Sequence, residues 1–247
     1  MTTAKTINQE LYDRFWETCG DFSRYNPGSR HRRRKLGALV DQLPFRSVLD
    51  VGCGNAENIL WLRARVGSNV SLAGVDLSPE TVQRNASRHP FARFSVLDIE
   101  RDSLDERFDL VVCTEVVEHL EDQARAVENL AHMVSPGGHL VLTCPTGRLH
   151  ETERHFGHVA HPSVARLKSM LVTAGLEVVS LENWGFPLYV GLKYATNLRP
   201  KWSLKNFGTT EYRPMAKALC HALYLANFAN LSTSPFGAQL FALARKV

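Results

Sequence analysis

The sequence predicts an α/β protein built on a doubly wound parallel sheet. Three observations carry this. Short, near-continuous apolar runs alternate with helical stretches, the pattern of strands buried on both faces by helices. The first run ends in a Gly-x-Gly turn that opens a helix. The composition, 44% hydrophobic and 22% charged over 247 residues, is that of a soluble chain able to bury a full core.

In chain order, Ser47 to Val51 reads as the first strand and Ala56 to Val66 as the helix after it. Ser71 to Asp76 is the second strand, followed by Ser78-Pro79, a helix cap with proline at the first helical position. Phe94 to Asp98 and Phe108 to Thr114 are strands three and four. Glu121 to Val134 is helical and is stopped by Ser135-Pro136-Gly137-Gly138, after which His139 to Cys144 is strand five. A helix from Pro162 to Ala174, stopped by Gly175, precedes a sixth strand at Leu176 to Leu181. Gln239 to Arg245 has the composition of a last strand.

A single domain is expected over residues 1–247. Residues 1–40 form an N-terminal helical cap, 41–183 and 236–247 the core, and 184–235 an insertion. The insertion is too long for a plain loop and is expected on the carboxyl edge of the sheet, where such folds bind ligands. Within it Met215, Leu219, Ala222, Leu223 and Ala226 recur at helical spacing. That stripe fits a helix packed on its own domain. It also fits a lid over an apolar acceptor, or a shallow membrane contact. Lys193, Arg199, Lys201 and Lys205 lie near it and suit anionic head groups.

Several classes are excluded. Five cysteines (Cys19, Cys53, Cys113, Cys144, Cys220) lie far apart without a Cys-x-x-Cys pair, which argues against a disulfide framework or a zinc site and for a reducing cytoplasm. The first residues lack the apolar region of a secretory signal, and no run is long enough to span a membrane. A net charge of +4 does not by itself imply nucleic acid, and the one dense basic run, Arg30 to Lys35, reads as a solvated helix face.

The chemistry is concentrated at strand ends. Gly52 and Gly54 directly after a strand let the backbone approach a ligand closely. The third glycine of a dinucleotide-binding loop would fall at Glu57, whose carboxylate would repel a pyrophosphate, so a nicotinamide cofactor is disfavoured. Asp50 just before the loop suits a cationic ligand. Asp76, closing the second strand, stands where an acid accepts hydrogen bonds from ribose hydroxyls, and Asp98, closing the third, where an adenine edge would lie.

These segments together resemble the class I S-adenosylmethionine-dependent methyltransferases. VLDVGCGNA is similar to the family's glycine motif with Ala56 in place of its last glycine; GVDLSPE, LDIE, FDLVVCTEVVEHL and VSPGGHLVLTCP follow in order. The resemblance implies a Rossmann-like seven-stranded sheet with an antiparallel last strand, and S-adenosylmethionine held by Gly52, Gly54, Asp76 and Asp98. It further implies Tyr12, Arg30, Asp50, Cys53, Leu77, Ile99 and Thr114 as cofactor contacts. The opening Tyr12 to Trp16 and Asn26-Pro27-Gly28-Ser29-Arg30 resemble ubiquinone-pathway O-methyltransferases. In those an arginine after Asn-Pro meets the cofactor carboxylate, with Arg30 the best match here and Arg32 the alternative. A guanidinium suits a carboxylate on physical grounds alone.

Glu115, Glu118 and His119 follow strand four, and His150, His155, His158 and His161 follow strand five. Gly157-His158-Val159 resembles a tripeptide found there in many small-molecule and glycan methyltransferases. Three readings stay open. His119 or His158 is a general base. Glu115, Glu118, His119 and His158 hold Mg²⁺ or a similar metal, a set resembling that of small-RNA 3′-terminal 2′-O-methyltransferases. Or these residues only shape the pocket. The expected reaction is methyl transfer to a small-molecule or lipidic acceptor, foremost at oxygen, in natural-product, glycan or isoprenoid biosynthesis. The rivals are an RNA terminal 2′-O-methyltransferase, disfavoured by the short basic run and the lack of an appended RNA-binding module, and a repurposed S-adenosylmethionine binder. A cytoplasmic protein with membrane-peripheral contact is compatible with all of this.

Overall fold

A computed structural model describes residues 20–207 and 211–247. Tyr12 and Cys19 lie outside the described residues. The chain enters through helices α1 (Gly20–Tyr25) and α2 (Pro27–Val40). Asn26 starts α2 by accepting a hydrogen bond from the Ser29 amide at 3.1 Å, with Pro27 in the first turn. The core follows: β1 (Ser47–Val51), α3 (Glu57–Val66), β2 (Ser71–Asp76), α4 (Pro79–Arg88), β3 (Arg93–Val96), β4 (Phe108–Thr114), α5 (Gln123–His132) and β5 (Val134–Pro145). Then come α6 (Glu151–His155), α7 (Val164–Thr173), β6 (Leu176–Trp184), α8 (Leu188–Asn197), α9 (Pro200–Phe207), α10 (Pro214–Ala226) and β7 (Gln239–Lys246).

The seven strands form one sheet in the order β3-β2-β1-β4-β5-β7-β6. β1 to β5 pair in parallel, and β7 runs antiparallel to both of its neighbours, β5 and β6. The expected seven-stranded, mostly parallel sheet with a reversed last strand is therefore the fold.

Period-two alternation sends successive side chains to opposite faces. Leu49, Val111, Leu140 and Leu142 pack in one layer with α5 and α7, whereas Val48, Leu110, Val112 and Val141 pack in the other with α2 and α3. Each such fully buried side chain contributes roughly 1.5–3 kcal/mol. One glycine-dependent feature shapes the start of β5. A Cβ on Gly138 would lie 2.8 Å from the Asp109 carbonyl oxygen, so only glycine lets β5 start beside β4. As a result β5 begins at Val134, and the expected helix stop is already strand.

Other boundaries differ from expectation for local reasons. β3 ends at Val96, so Asp98 sits in the following loop. The helix expected from Glu121 starts at Gln123, because Asp122 accepts from the Arg125 amide as its cap and a single 3₁₀ turn, Val117–His119, precedes it. The insertion is not irregular: it folds into α8, α9 and α10. The apolar stripe of α10 does not face the core, since Met215 is 86% and Leu219 48% exposed, and Cys220 is turned inward instead. No helix among the described residues is long and apolar enough to cross a membrane.

Candidate active site

The carboxyl ends of the parallel strands surround a cavity of about 620 Å³, within the range of small-molecule and cofactor sites. The sheet order arranges its wall. Asp98 follows β3, Asp76 ends β2, the glycine loop follows β1, Glu115 to His119 follow β4, and Thr143 and Pro145 end β5.

The loop after β1 is held by its own backbone. The Gly52 and Cys53 amides both donate to the Val75 carbonyl, at 2.8 and 3.0 Å. Gly52 has φ +71, and a Cβ there would meet Val116 Cγ2 at 2.3 Å, so the loop accepts no side chain at this position. Asp76 closes the turn: its Oδ2 accepts from the Gly54 amide at 2.9 Å and its Oδ1 from the Ser78 amide at 3.0 Å. Gly52, Cys53, Gly54, Asp76, Leu77, Asp98, Ile99 and Thr114 all line the cavity. Glu57 lines it too, at the first turn of α3, with Arg33 3.3 Å from its carboxylate.

Two expected contacts are placed elsewhere. Asp50 lies beneath the loop and is fully buried; Asn58 donates to its Oδ1 at 3.1 Å while Oδ2 has no partner. Burial lifts its carboxyl to about 7, and it lies beneath the cavity wall instead of on it. Arg30 points away from the cavity, with its guanidinium 3.7 Å over the Tyr224 ring. Arg32, two residues along α2 and turned by about 200° around its axis, lines the cavity instead and stands 3.3 Å from the Glu115 carboxylate.

Glu115 has the uncommon φ of +58. Its Oε1 accepts from Thr143 Oγ1 at 2.9 Å and from Gln239 Nε2 at 2.8 Å, which ties β4 to β5 and β7. Glu118 is fully buried and neither carboxylate oxygen has a hydrogen-bond partner. Burial, reinforced by Glu115, pushes its carboxyl well above the ordinary range. The Glu118 carbonyl accepts from the Val159 and Ala160 amides at 2.8 and 3.2 Å, which clamps Gly157-His158-Val159 against the 3₁₀ turn. His119 and His158 therefore meet, rings perpendicular and 4.6 Å apart. His158 Nδ1 lies 2.9 Å from His161 Nε2. Burial lowers all three histidines, His158 to about 2 and His161 to about 4.

Of the histidines after β5, His150 packs its ring on Tyr194 and His155 is exposed, so neither joins the cluster. Ligand atoms of Glu118, His119 and His158 lie within 4.8 Å of one another, as do those of Glu153, His158 and His161. Glu115 is in neither trio, and its carboxylate is engaged by Arg32, Thr143 and Gln239. The cavity wall also includes Arg32, Arg33, Tyr189 and Gln239; Tyr189 belongs to the aromatic run that opens the insertion, and local pattern does not single out Arg33 or Gln239 as site residues. Arg32 is an alternative in the arginine match, and for Arg33 and Gln239 the signal lies in tertiary pairing.

Comparison with known proteins follows this geometry. A family model described as a methyltransferase domain matches residues 29–181. A ubiquinone biosynthesis O-methyltransferase of Alkalilimnicola ehrlichii is 32% identical over 146 residues, covering 53% of this chain and 54% of that protein. Nodulation protein S of Rhizobium tropici is 34% identical over 190 residues, covering 72% of this chain and 73% of that protein. The chain thus spans little more than half the length of the ubiquinone-biosynthesis relatives it matches. Among solved structures, the N-methyltransferase NodS of Bradyrhizobium japonicum with S-adenosyl-L-homocysteine superposes with a TM-score of 0.59 at 20% identity, covering 97% of this chain and 98% of that one.

Proposed function

The chain belongs to the class I S-adenosylmethionine-dependent methyltransferase family, and from that membership we propose that it transfers a methyl group to an oxygen of a small or lipidic acceptor. One observation carries the reading: a single cavity joins the glycine loop and the Asp76 and Asp98 carboxylates to the Glu118, His119 and His158 cluster.

The residues fit S-adenosylmethionine. Gly52, where Val116 excludes any Cβ, lets the loop turn tightly along the cavity wall. Asp76 is oriented by two amides and retains lone pairs for ribose hydroxyls. Glu57 stands at the start of α3, where a pyrophosphate would be repelled, which disfavours a nicotinamide cofactor. When bound, S-adenosylmethionine supplies an electrophilic methyl on a sulfonium.

The chain's own contribution is positioning and proton handling. Burial holds His119 and His158 in the neutral form at physiological pH, and His158 Nδ1 meets His161 Nε2, so in the tautomer in which Nδ1–H donates to His161 the Nε2 atom is the acceptor toward a substrate hydroxyl. A neutral imidazole in hydrogen-bond reach of a phenolic or sugar hydroxyl contributes about 10²–10⁴-fold as a base. RNA fits less well. Within the basic run, Arg30 and Arg34 lie over Tyr224 and Phe228, and Arg32, Arg33 and Lys35 face Glu115, Glu57 and Glu182. A second reading is favoured by the two unpartnered oxygens of Glu118: with His119 and His158 they would hold a divalent cation that orients a vicinal diol.

Titration calorimetry with S-adenosylmethionine, S-adenosylhomocysteine and NAD tests the cofactor. Binding of the first two and not the third is expected, and NAD binding alone overturns the reading. Methyl transfer from labelled cofactor to phenolic, sugar and isoprenoid-tailed hydroxyls then tests the reaction. Cofactor binding with transfer only to amines would overturn the assignment to oxygen.

A further inference from the structure

Among the described residues, eighteen large apolar side chains are exposed, and ten of them fall within residues 188–236, about a fifth of the chain. They are not scattered. On α10 the exposed positions Met215, Ala218, Leu219, Ala222, Leu225 and Ala226 follow three- and four-residue steps, so they form one stripe facing solvent. The side of α10 facing the domain carries polar contacts beside the buried Cys220. Lys217 Nζ lies 2.9 Å from Asp21, and the Tyr224 carbonyl lies 2.7 Å from His31 Nε2. A helix of a soluble domain is ordinarily the other way round.

The stripe continues past the end of α10 through Phe228, Leu231 and Phe236, which are 52%, 54% and 68% exposed. This region is fixed to the start of α8. The Leu188 and Tyr189 amides donate to Asn230 Oδ1 at 2.7 and 3.1 Å, and the Leu231 amide donates to the Phe186 carbonyl at 2.8 Å. Tyr189, on the same turn, lines the cavity. The apolar surface therefore adjoins the active-site wall.

Charge decides what covers it. Residues 188–236 carry six basic side chains against the single acid Glu211, a net +5 in a chain whose total is +4. Arg199, Lys201 and Arg213 are exposed, and from α2 the Arg34 guanidinium lies 4.7 Å over the Phe228 ring. Glu153 and Asp21 neutralise Lys193 and Lys217, and the remaining cations still leave the face basic, so a second copy docked through it would bring one basic surface against another. An anionic lipid surface instead accepts the apolar stripe and attracts the basic rim.

We propose that the α10 face and its continuation through Phe236 dock on a bilayer containing anionic phospholipid, with the active-site cavity next to the membrane surface. The proposal does not depend on the methyl acceptor, and its test needs no turnover. Co-sedimentation of the full chain with vesicles of phosphatidylcholine alone, or mixed with phosphatidylglycerol, reads it directly. Binding is expected to the mixed vesicles and not to the neutral ones, and to weaken as salt is raised.

The double variant Leu219→Asp/Leu225→Asp should lower partitioning at least about tenfold, because two charged groups replace the inserting side chains. Arg34→Gln/Arg213→Gln, which removes the cation over Phe228 and the one at the start of α10, should lower it about fivefold for each charge removed. The second pair keeps the test valid if the first fails to fold. S-adenosylmethionine binding, measured by calorimetry, should be unchanged in both. No sedimentation with mixed vesicles would overturn the proposal, as would equal binding to both vesicle types. So would wild-type partitioning by the charge-neutralised variant. A concentration-dependent dimer that Leu219→Asp/Leu225→Asp dissociates, with no vesicle binding, would assign the face to a second copy.

Discussion

Arg32 of α2 reaches across the cavity to Glu115 after β4, guanidinium to carboxylate at 3.3 Å, and so joins the N-terminal helices to the edge of the sheet. Glu115 is held on its other oxygen by Thr143 and Gln239, so the pair is built into a network that spans β4, β5 and β7. With Arg30 stacked on Tyr224, Arg32 is the arginine of the Asn-Pro segment that lines the cavity, and the proposed cofactor site assigns it the carboxylate contact. Arg32→Ala should weaken S-adenosylmethionine by about 1.5–3 kcal/mol, the range for hydrogen bonds to charged groups. Arg30→Ala should change affinity by less than about 0.5 kcal/mol. Calorimetric titration of the two variants side by side checks this, and the reverse order would return the role to Arg30.

The Arg30 and Arg32 outcome shows where the sequence was informative. A strand, a turn and a helix start are local, so Gly52, Gly54 and Asp76 were readable from spacing, and the sheet topology followed from the order of motifs. Helical phase against a distant partner is not local: two residues along α2 exchange a cavity wall for Tyr224. Asp50 was misread as ligand-facing because alternation along β1 does not tell which face lies under the loop. The same limit applies to α10, whose apolar stripe was visible while the side it presents to solvent was not. The meeting of His158 with His119 depends on the Val159 and Ala160 amides finding the Glu118 carbonyl, which no spacing rule encodes.

Asp76 offers a second measurement. Its carboxylate accepts from the Gly54 and Ser78 amides, so removing it releases the loop and, on the proposed function, deletes the ribose acceptor. Asp76→Ala should weaken S-adenosylmethionine by about 1.5–3 kcal/mol. Asp76→Asn, which keeps one oxygen acceptor, should lose less. Unchanged affinity in a folded Asp76→Ala protein would refute the ribose assignment.

Asp50 predicts a pH dependence of stability. Its carboxyl is lifted to about 7 in the fold, against an ordinary 3.8, chiefly by burial. Between those values the unfolded chain has released this proton and the folded chain still holds it. The folded state thus binds more protons, and the Asp50 contribution to stability falls as pH rises through that window. Above about 7 the penalty is complete, and below about 4 it vanishes. Asp50→Asn removes the titration, so its melting temperature relative to wild type should climb from pH 4 to pH 7 and then level off. A difference independent of pH, or one that shrinks as pH rises, would contradict the buried carboxyl.

The last prediction separates proton transfer from metal binding at Glu118, His119 and His158. As a base, a neutral imidazole needs no cation, so dialysis against a chelator should leave turnover unchanged. His119→Ala or His158→Ala should then cost about 10²–10⁴-fold in kcat. Activity should fall as pH drops through the pKa of the base. Because burial lowers both imidazoles, that acid limb should lie below the ordinary histidine value of 6.5. The cluster's other use gives a different pattern. Burial favours the protonated form of Glu118, and a cation would bind its two unpartnered oxygens against that preference. Chelation would then abolish activity, Mg²⁺ or Mn²⁺ would restore it, and Glu118→Gln would be nearly as damaging as His119→Ala, since both would remove a ligand. A chelator-insensitive enzyme in which neither histidine variant costs tenfold would exclude both uses. Methyl transfer would then rest on positioning alone, and the cluster would be wall.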